Sequence, residues 1–140
     1  MNYIINIEPK PQSRPRFTRN GHAYEVREMK QWKDSVRYDL FARKTDRIEQ
    51  GAIYIGLVFY IYPPQRVSKA KQKHPLTNNQ LEKIFVDKKS DLDNYVKAIL
   101  DASNGILYKD DGQIAILSSQ KLYSYQPRID LTIEKLENLA

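Results

Sequence analysis

Five aspartates crowded into 21 residues are the side chains most able to do chemistry in this sequence. They are Asp91, Asp93, Asp101, Asp110 and Asp111. In an extended segment, residues two apart point to the same side, so Asp91 and Asp93 can converge on one point. A helix followed by a short loop can bring Asp111 near the start of that helix. Three carboxylates gathered in this way form the all-oxygen site that Mg²⁺ or Mn²⁺ prefers.

A lysine accompanies these acids at helical spacing. Asp93, Lys97 and Asp101 are successively four residues apart and line one stripe of a predicted helix. Lys97 is placed to neutralise charge on a phosphate or to orient an attacking water, and Asp101 is expected to pair with Lys97 or to anchor a loop. The set is typical of metal-assisted phosphodiester hydrolysis. Spacing alone leaves a structural interpretation open, because Asp is a common helix N-cap and Asp-Asp-Gly is a common turn.

The rest of the chain is basic. The formal net charge is +6, although residues 91–111 carry five aspartates against two lysines. A basic body suits a polyanionic partner such as nucleic acid, since neutralising phosphates releases counterions. The predicted nucleic-acid contacts are two arginines of an extended arm and five lysines of the segment 65–89: Arg14, Arg16, Lys69, Lys71, Lys73, Lys88 and Lys89. We interpret this segment as a mobile phosphate clamp, and a merely solvated loop is the alternative.

Composition excludes several other classes of protein. A chain of 140 residues suits a single domain, which we place over 1–140. The absence of cysteine excludes disulfide scaffolds and thiol catalysis, and two histidines leave little for a His-rich metal site. No apolar run approaches the roughly 18 residues of a transmembrane helix. The N-terminus lacks the features of a signal peptide, so we expect a soluble, cytoplasmic globular protein.

Hydrophobic patterning predicts the elements that must position these residues. The predicted strands are 3–8, 51–62, 113–123 and 128–136, the main helices are 27–47 and 93–103, short helices are expected at 66–73 and 78–84, and an arm or hairpin is expected at 15–25. The last two strands are separated by a short turn and are predicted to form a β-hairpin. The fold class is therefore α+β, a small single domain with a mixed sheet and two main helices.

Three stretches of this sequence form a distinctive set of motifs: Asp-Leu-Asp-Asn-Tyr-Val-Lys-Ala at 91–98, Leu-Asp-Ala-Ser-Asn-Gly at 100–105 and Asp-Asp-Gly-Gln-Ile at 110–114. They closely resemble the RusA family of Holliday junction resolvases. Upstream, Arg-Pro-Arg-Phe at 14–17 resembles the family's Arg-Pro-Arg element after the first strand. The resemblance extends from about residue 5 to 136.

The resemblance implies a metal-dependent, homodimeric endonuclease with a RusA-like fold. Such an enzyme nicks two strands symmetrically at a four-way DNA junction, with Mg²⁺ as cofactor and Mn²⁺ as a substitute. The essential acids and metal ligands would be Asp91, Asp93 and Asp111, and the supporting lysine would be Lys97. Family members are frequently encoded by phages and prophages, which implies a role in DNA recombination and repair.

Two departures and two alternatives accompany this interpretation. Ser90 stands where many members have Pro, and Gly112 stands where Ser or Ala is common, so Gly112 is expected to loosen the turn that aims Asp111. The alternatives are a non-catalytic DNA-binding protein and a broader nuclease for branched or flap DNA. The segments 113–136 and 51–62 are the predicted donors of the dimer interface.

Overall fold

A computed structural model describes residues 1–69, 74–88 and 90–137. Its elements are β1 (Asn2–Ile5), β2 (Arg16–Phe17), β3 (Ala23–Tyr24), α1 (Arg27–Ala42), β4 (Ile53–Ile61), α2 (Gln65–Ser68), α3 (Asn78–Leu81), α4 (Leu92–Ser103), β5 (Ile114–Tyr123) and β6 (Arg128–Lys135). The predicted α+β class is confirmed, with α1 and α4 as the two main helices. None of the described helices is long and apolar enough to cross a membrane.

The strand β4 is the centre of a four-stranded sheet of order β1-β6-β4-β5. It runs parallel to β5 and antiparallel to β6, and β1 pairs antiparallel with β6, so the sheet is mixed as predicted. Alternate residues of β4 from Ile53 to Ile61 are buried, and they face the helices. This period of two arises because successive side chains of a strand point to opposite faces of the sheet.

The prediction that the last two strands form a hairpin is wrong. Both β5 and β6 pair with β4, which lies between them. The connection at 124–127 crosses the end of β4, where the Ser124 N–H donates to the Ile61 carbonyl at 2.9 Å. The central position suits β4 because its nearly continuous apolar run needs a ladder on each side to satisfy its buried backbone groups.

The helices α1 and α4 cover one face of the sheet. Met29, Val36 and Leu40 of α1 are fully buried, as the spacing predicts. Phe41, the residue after Leu40, is 75% exposed, because each residue turns the helix by about 100° and carries Phe41 past the contact with the sheet. The fourth buried position of α1 holds a charged residue, Lys33.

A hydrogen-bond network attaches the short helix α3 to the sheet. Leu81 of α3 is fully buried, and the Glu82 carboxylate accepts hydrogen bonds from the Ser124 hydroxyl at 2.7 Å and from Arg128 at 3.2 Å. The Arg128 guanidinium in turn lies 3.9 Å from the centre of the Tyr60 ring. Part of the basic segment 65–89 is therefore folded against the sheet, and its mobility stays a prediction.

Replacing Glu82 with Gln should lower the free energy of unfolding at pH 7 by roughly 1–2 kcal/mol, the difference between hydrogen bonds to a charged group and to the neutral amide that replaces it. Burial raises the pKa of Glu82, but hydrogen bonds from Arg128 and Ser124 outweigh it, so the pKa lies below the ordinary 4.5. Because its folded-state pKa is lowered, ionised Glu82 stabilises the folded protein above pH 4.5. This contribution disappears as the pH falls through the folded-state pKa. Urea unfolding of the parent and the variant at several pH values measures the difference. A difference that stays constant with pH would contradict this account, and Glu134→Gln, at an exposed position near the end of β6, is the control.

Candidate active site and nucleic-acid interface

A cleft of about 590 Å³ lies between α4, the turn at 110–113 and the arm that contains β2 and β3. Its charged lining from α4 and the turn consists of Asp93, Lys97, Asp101 and Asp111, and the arm contributes Gln12, Ser13, Pro15, Ala23, Tyr24 and Glu25. The predicted stripe along α4 is confirmed in that its three charged residues share this cleft. The predicted hairpin of the arm is also present, with Arg16 paired to Tyr24 and Phe17 to Ala23.

The loop after α4 carries Asp111 back to the helix. Tyr108 in this loop is fully buried, and its hydroxyl donates to the Leu100 carbonyl of α4 at 2.7 Å and lies 3.1 Å from the Ser103 hydroxyl. Burial raises the pKa of Tyr108 far above its ordinary value, and the neighbouring Asp111 carboxylate raises it further. Tyr108 therefore fastens the loop to α4 with Asp111 close by. The loop thus returns to the C-terminal half of α4, and the predicted approach of Asp111 to the start of the helix is supported only by the cleft that Asp111 shares with Asp93.

Asp91 occupies a different position from Asp93 and Asp111. It is the N-cap residue of α4, it is exposed, and it is not among the residues that line the cleft. Its backbone is extended, but Leu92 and Asp93 are already helical, so the strand-like alternation proposed for Asp91 and Asp93 does not apply. Within residues 1–69, 74–88 and 90–137, no group of three or more acidic or histidine side chains is close enough to hold a metal ion. The three-carboxylate metal site stays a prediction.

Asp110 performs the structural work of the Asp-Asp-Gly turn. Its carboxylate accepts a hydrogen bond from the Gly112 N–H at 3.0 Å, and its own N–H donates to the Gln113 side chain at 2.9 Å. These reciprocal bonds are a capping box. A Cβ at Gly112 would lie 2.9 Å from the Asp110 carboxylate, so glycine permits the tight turn. The loosening expected at Gly112 stays a prediction, and Asp111 is left to face the cleft.

Asp101 pairs with a lysine that the sequence analysis missed. Its carboxylate lies 2.5 Å from the Nζ of Lys33, which also contacts Glu25 of the arm. Of the two expectations for Asp101, pairing with Lys97 is not found among the described residues, whereas the anchoring of a loop is found, since Lys33 joins Asp101 to Glu25 of the arm. The signal that could have found Lys33 is its place in the buried stripe of α1, four residues after Met29, where a lysine needs buried partners.

Among the described residues, three of the five aspartates are held neither by an ion pair nor by a capping box. No described residue donates a hydrogen bond to the carboxylates of Asp91 or Asp93, although Asp91 stands at the N-cap position, and the Asp111 carboxylate lies beside the Tyr108 hydroxyl. The cap and turn roles therefore do not account for these three. Exposed carboxylates with free lone pairs are the hard oxygen donors that Mg²⁺ and Mn²⁺ prefer, so the donor chemistry fits such a cation.

The predicted phosphate contacts are found on two surfaces. Arg14 and Arg16 are exposed on the arm that forms one wall of the cleft. Lys69 is exposed at the C-terminal end of α2, and Lys88 is exposed shortly before α4. The other three predicted lysines, Lys71, Lys73 and Lys89, lie outside the described residues. For all seven predicted residues, contact with nucleic acid stays a prediction.

Comparison with known proteins identifies the family. The family model described as Endodeoxyribonuclease RusA matches residues 6–134. The chain belongs to the RusA family. A relative in Bacillus subtilis (strain 168), named Uncharacterized protein YqaN, is 33% identical over 137 residues, which cover 96% of this chain and 95% of the relative. RusA-family proteins are endodeoxyribonucleases that act on Holliday junctions, so the resemblance inferred from the motifs is confirmed.

Proposed function

We propose that this chain is a metal-dependent endonuclease that resolves four-way DNA junctions by paired, symmetric nicks. The observation that supports this most is the division of roles within the acidic segment. Asp101 and Asp110 are engaged in holding the fold together, whereas Asp93 and Asp111 are exposed and face one cleft, and Asp93 accepts no hydrogen bond from the described residues. A protein whose aspartates served only as caps and turns would not leave these carboxylates exposed beside a basic arm.

Each proposed catalytic residue has a distinct task. Asp91, Asp93 and Asp111 would hold Mg²⁺, or Mn²⁺ in its place. The bound cation supplies activation of a water nucleophile and stabilisation of the leaving oxygen. Lys97, one helical turn from Asp93 and lining the same cleft, neutralises charge on the phosphate that is cut. The walls of the cleft restrict the approach of the DNA backbone to the side on which these groups lie.

The proposed enzyme is a homodimer that uses the outer edge of β5. The final residues of β5 are already paired on this edge, since the Val86 N–H donates to Lys121 and the Tyr123 N–H donates to Ile84. No described residue pairs with the outer edge at 114–120, where Ile116 is 50% and Leu117 is 44% exposed. A long apolar edge is a template for pairing with a second copy across a two-fold axis. Of the two predicted interface donors, β4 is paired on both sides, so the edge in 113–136 is the one we propose.

The proposed role is cytoplasmic recombination and repair of DNA, of the phage or prophage type. Family membership supports the first part, because branched DNA is an intermediate of recombination. The absence of cysteine from all 140 residues is compatible with a reducing compartment.

Replacing both Arg14 and Arg16 with Ala should weaken binding to every form of DNA and reduce the salt slope of log K by about 2, since each phosphate contact releases close to one counterion. Binding of junction and duplex DNA at several salt concentrations measures this. The matched control is a double variant of two exposed lysines outside the proposed interface, Lys30→Ala/Lys135→Ala. An unchanged slope in the arginine variant would remove the arm from the DNA-binding surface.

The activity itself is tested on a synthetic four-way junction with labelled strands. We expect paired nicks at symmetric positions with Mg²⁺ or Mn²⁺, and none with EDTA. Binding without nicking under any metal condition would favour a non-catalytic DNA-binding protein. Equal nicking of flaps and junctions would favour a broader branched-DNA nuclease.

A further inference from the structure

Lys33 is a buried cation that joins three parts of the molecule. It lies on α1 with only 4% of its surface exposed, and it lines the floor of the cleft that also holds Asp93 and Asp111. Its ammonium contacts Asp101 of α4 at 2.5 Å and Glu25 at the end of the arm. A lysine is rarely buried unless it is paired, because leaving water is costly for an isolated charge.

The arm is attached to α4 at both of its ends. At the first end, the Gln12 N–H donates to the carbonyl of Asn94, the residue that follows Asp93, at 2.9 Å. At the second end, Glu25 reaches Asp101 through Lys33. The two ends are also joined to each other, since the Gln12 side chain donates to the Glu25 carboxylate at 3.1 Å.

The two ends enclose the two arginines that are proposed to contact nucleic acid. Arg14 and Arg16 lie between Gln12 and Glu25, on a ribbon whose strands are only two residues long. A ribbon this short has little stability of its own, so its position depends on its attachments. The Glu25 carboxylate is ionised at neutral pH, because hydrogen bonds from Lys33 and Gln12 outweigh the effect of burial and lower its pKa below the ordinary 4.5.

We propose that Lys33 is a positioning residue that locks the arm to α4 through Glu25 and Asp101. The arm thereby becomes a fixed wall that aligns Arg14 and Arg16 with the carboxylates of Asp93 and Asp111. This inference rests on the proposed nuclease function for its catalytic consequence, although the lock itself is a property of the free protein. Lys33 touches neither the substrate nor the cation in this account, and its ammonium already holds one carboxylate oxygen of Asp101.

The lock is tested by Glu25→Ala, with Glu28→Ala on the exposed first turn of α1 as the matched control. Amide hydrogen exchange followed by NMR reads the attachment directly, because the Gln12 N–H is the donor to α4. We expect the Gln12 amide to exchange at least ~10-fold faster in Glu25→Ala, because this variant loses a charge-assisted hydrogen bond. The exchange rates of the β4 amides should stay within ~3-fold of those in the parent. Nicking at saturating protein should fall at least ~10-fold, and Glu28→Ala should match the parent in both measurements.

Other results would overturn the proposal. Unchanged exchange at Gln12 would mean that Glu25 does not hold the arm, and equal acceleration in β4 would mean that the cluster serves general stability. Lys33→Met should accelerate exchange of the Gln12 amide in the same way, and Lys30→Met at an exposed position is its control. If Lys33→Met fails to fold, the result for Glu25→Ala decides. Absence of nicking by the parent itself would defeat the proposed function, whereas the exchange rates would still judge the lock.

Discussion

Asp91→Asn and Asp93→Asn should each reduce junction nicking by more than ~100-fold while junction binding is kept or improved. A metal ion contributes several kcal/mol of transition-state stabilisation, and each 1.36 kcal/mol is about tenfold in rate. Asparagine has nearly the same shape as aspartate and caps a helix about as well, so the start of α4 should be preserved. Removing a negative charge from the neighbourhood of the phosphates also favours binding of DNA.

Three measurements on these variants separate a catalytic role from a structural one. Nicking with Mg²⁺, binding in EDTA and melting in EDTA are compared with the parent, and Asp34→Asn on the exposed side of α1 is the control. We expect melting no lower than that of the parent, because no described residue depends on these carboxylates for a hydrogen bond. Normal nicking by Asp93→Asn would contradict the mechanism. Lost nicking together with a large fall in melting temperature would indicate a structural role.

Ile116→Lys/Leu117→Lys should convert a dimer into a monomer and abolish paired cleavage. The two side chains lie on opposite faces of the open edge of β5, and charged residues there prevent strand pairing between copies. The molecular mass measured by sedimentation should fall from about twice the 16.5 kDa chain mass to that mass. On a supercoiled plasmid with a cruciform, the parent should produce linear DNA by two nicks in one encounter. The variant should produce only nicked circles, slowly.

The opposite edge of the sheet provides the control for dimerisation. Ile4 is an exposed apolar residue of β1, the strand at the other edge, and Ile4→Lys makes the same change there. This variant should remain dimeric and produce linear DNA. If Ile4→Lys dissociates the protein and the β5 variant does not, the interface has been assigned to the wrong edge. A parent that sediments as a monomer yet linearises the plasmid would defeat the dimer proposal itself.

The elements could be predicted where local pattern determines them. The pattern predicts a helix over 93–103 and α4 spans Leu92–Ser103, because apolar residues recur on one face and Asn104-Gly105 ends it. The strand β4 was expected from its apolar run. That β5 and β6 each pair with β4 could not be predicted, since a four-residue turn fits a hairpin as well as a connection that crosses β4. Strand order depends on which strand is best buried, and sequence adjacency does not reveal that.

The candidate site could be predicted in its residue types but only partly in its arrangement. The resemblance and the spacing both indicated Asp93, Lys97 and Asp111, which share one cleft. The partner of Asp101 is Lys33, 68 residues away, and no local spacing could indicate it. Asp110 and Asp111 are adjacent and chemically identical in sequence. Only the capping box of the folded turn distinguishes the aspartate that holds the turn from the one that faces the cleft.

The most direct test of the account compares Asp111→Asn with Asp110→Asn for nicking and for melting with Mg²⁺. At a concentration about 100 times its Kd, a ligand that binds only the folded state adds about 2.7 kcal/mol of stability. We predict that Asp110→Asn, whose side chain can still accept the Gly112 N–H, nicks junctions within ~3-fold of the parent. It should also be stabilised by Mg²⁺ as the parent is. Asp111→Asn should lose both nicking and most of the stabilisation, and an Asp111→Asn variant that nicks as well as Asp110→Asn would contradict the account.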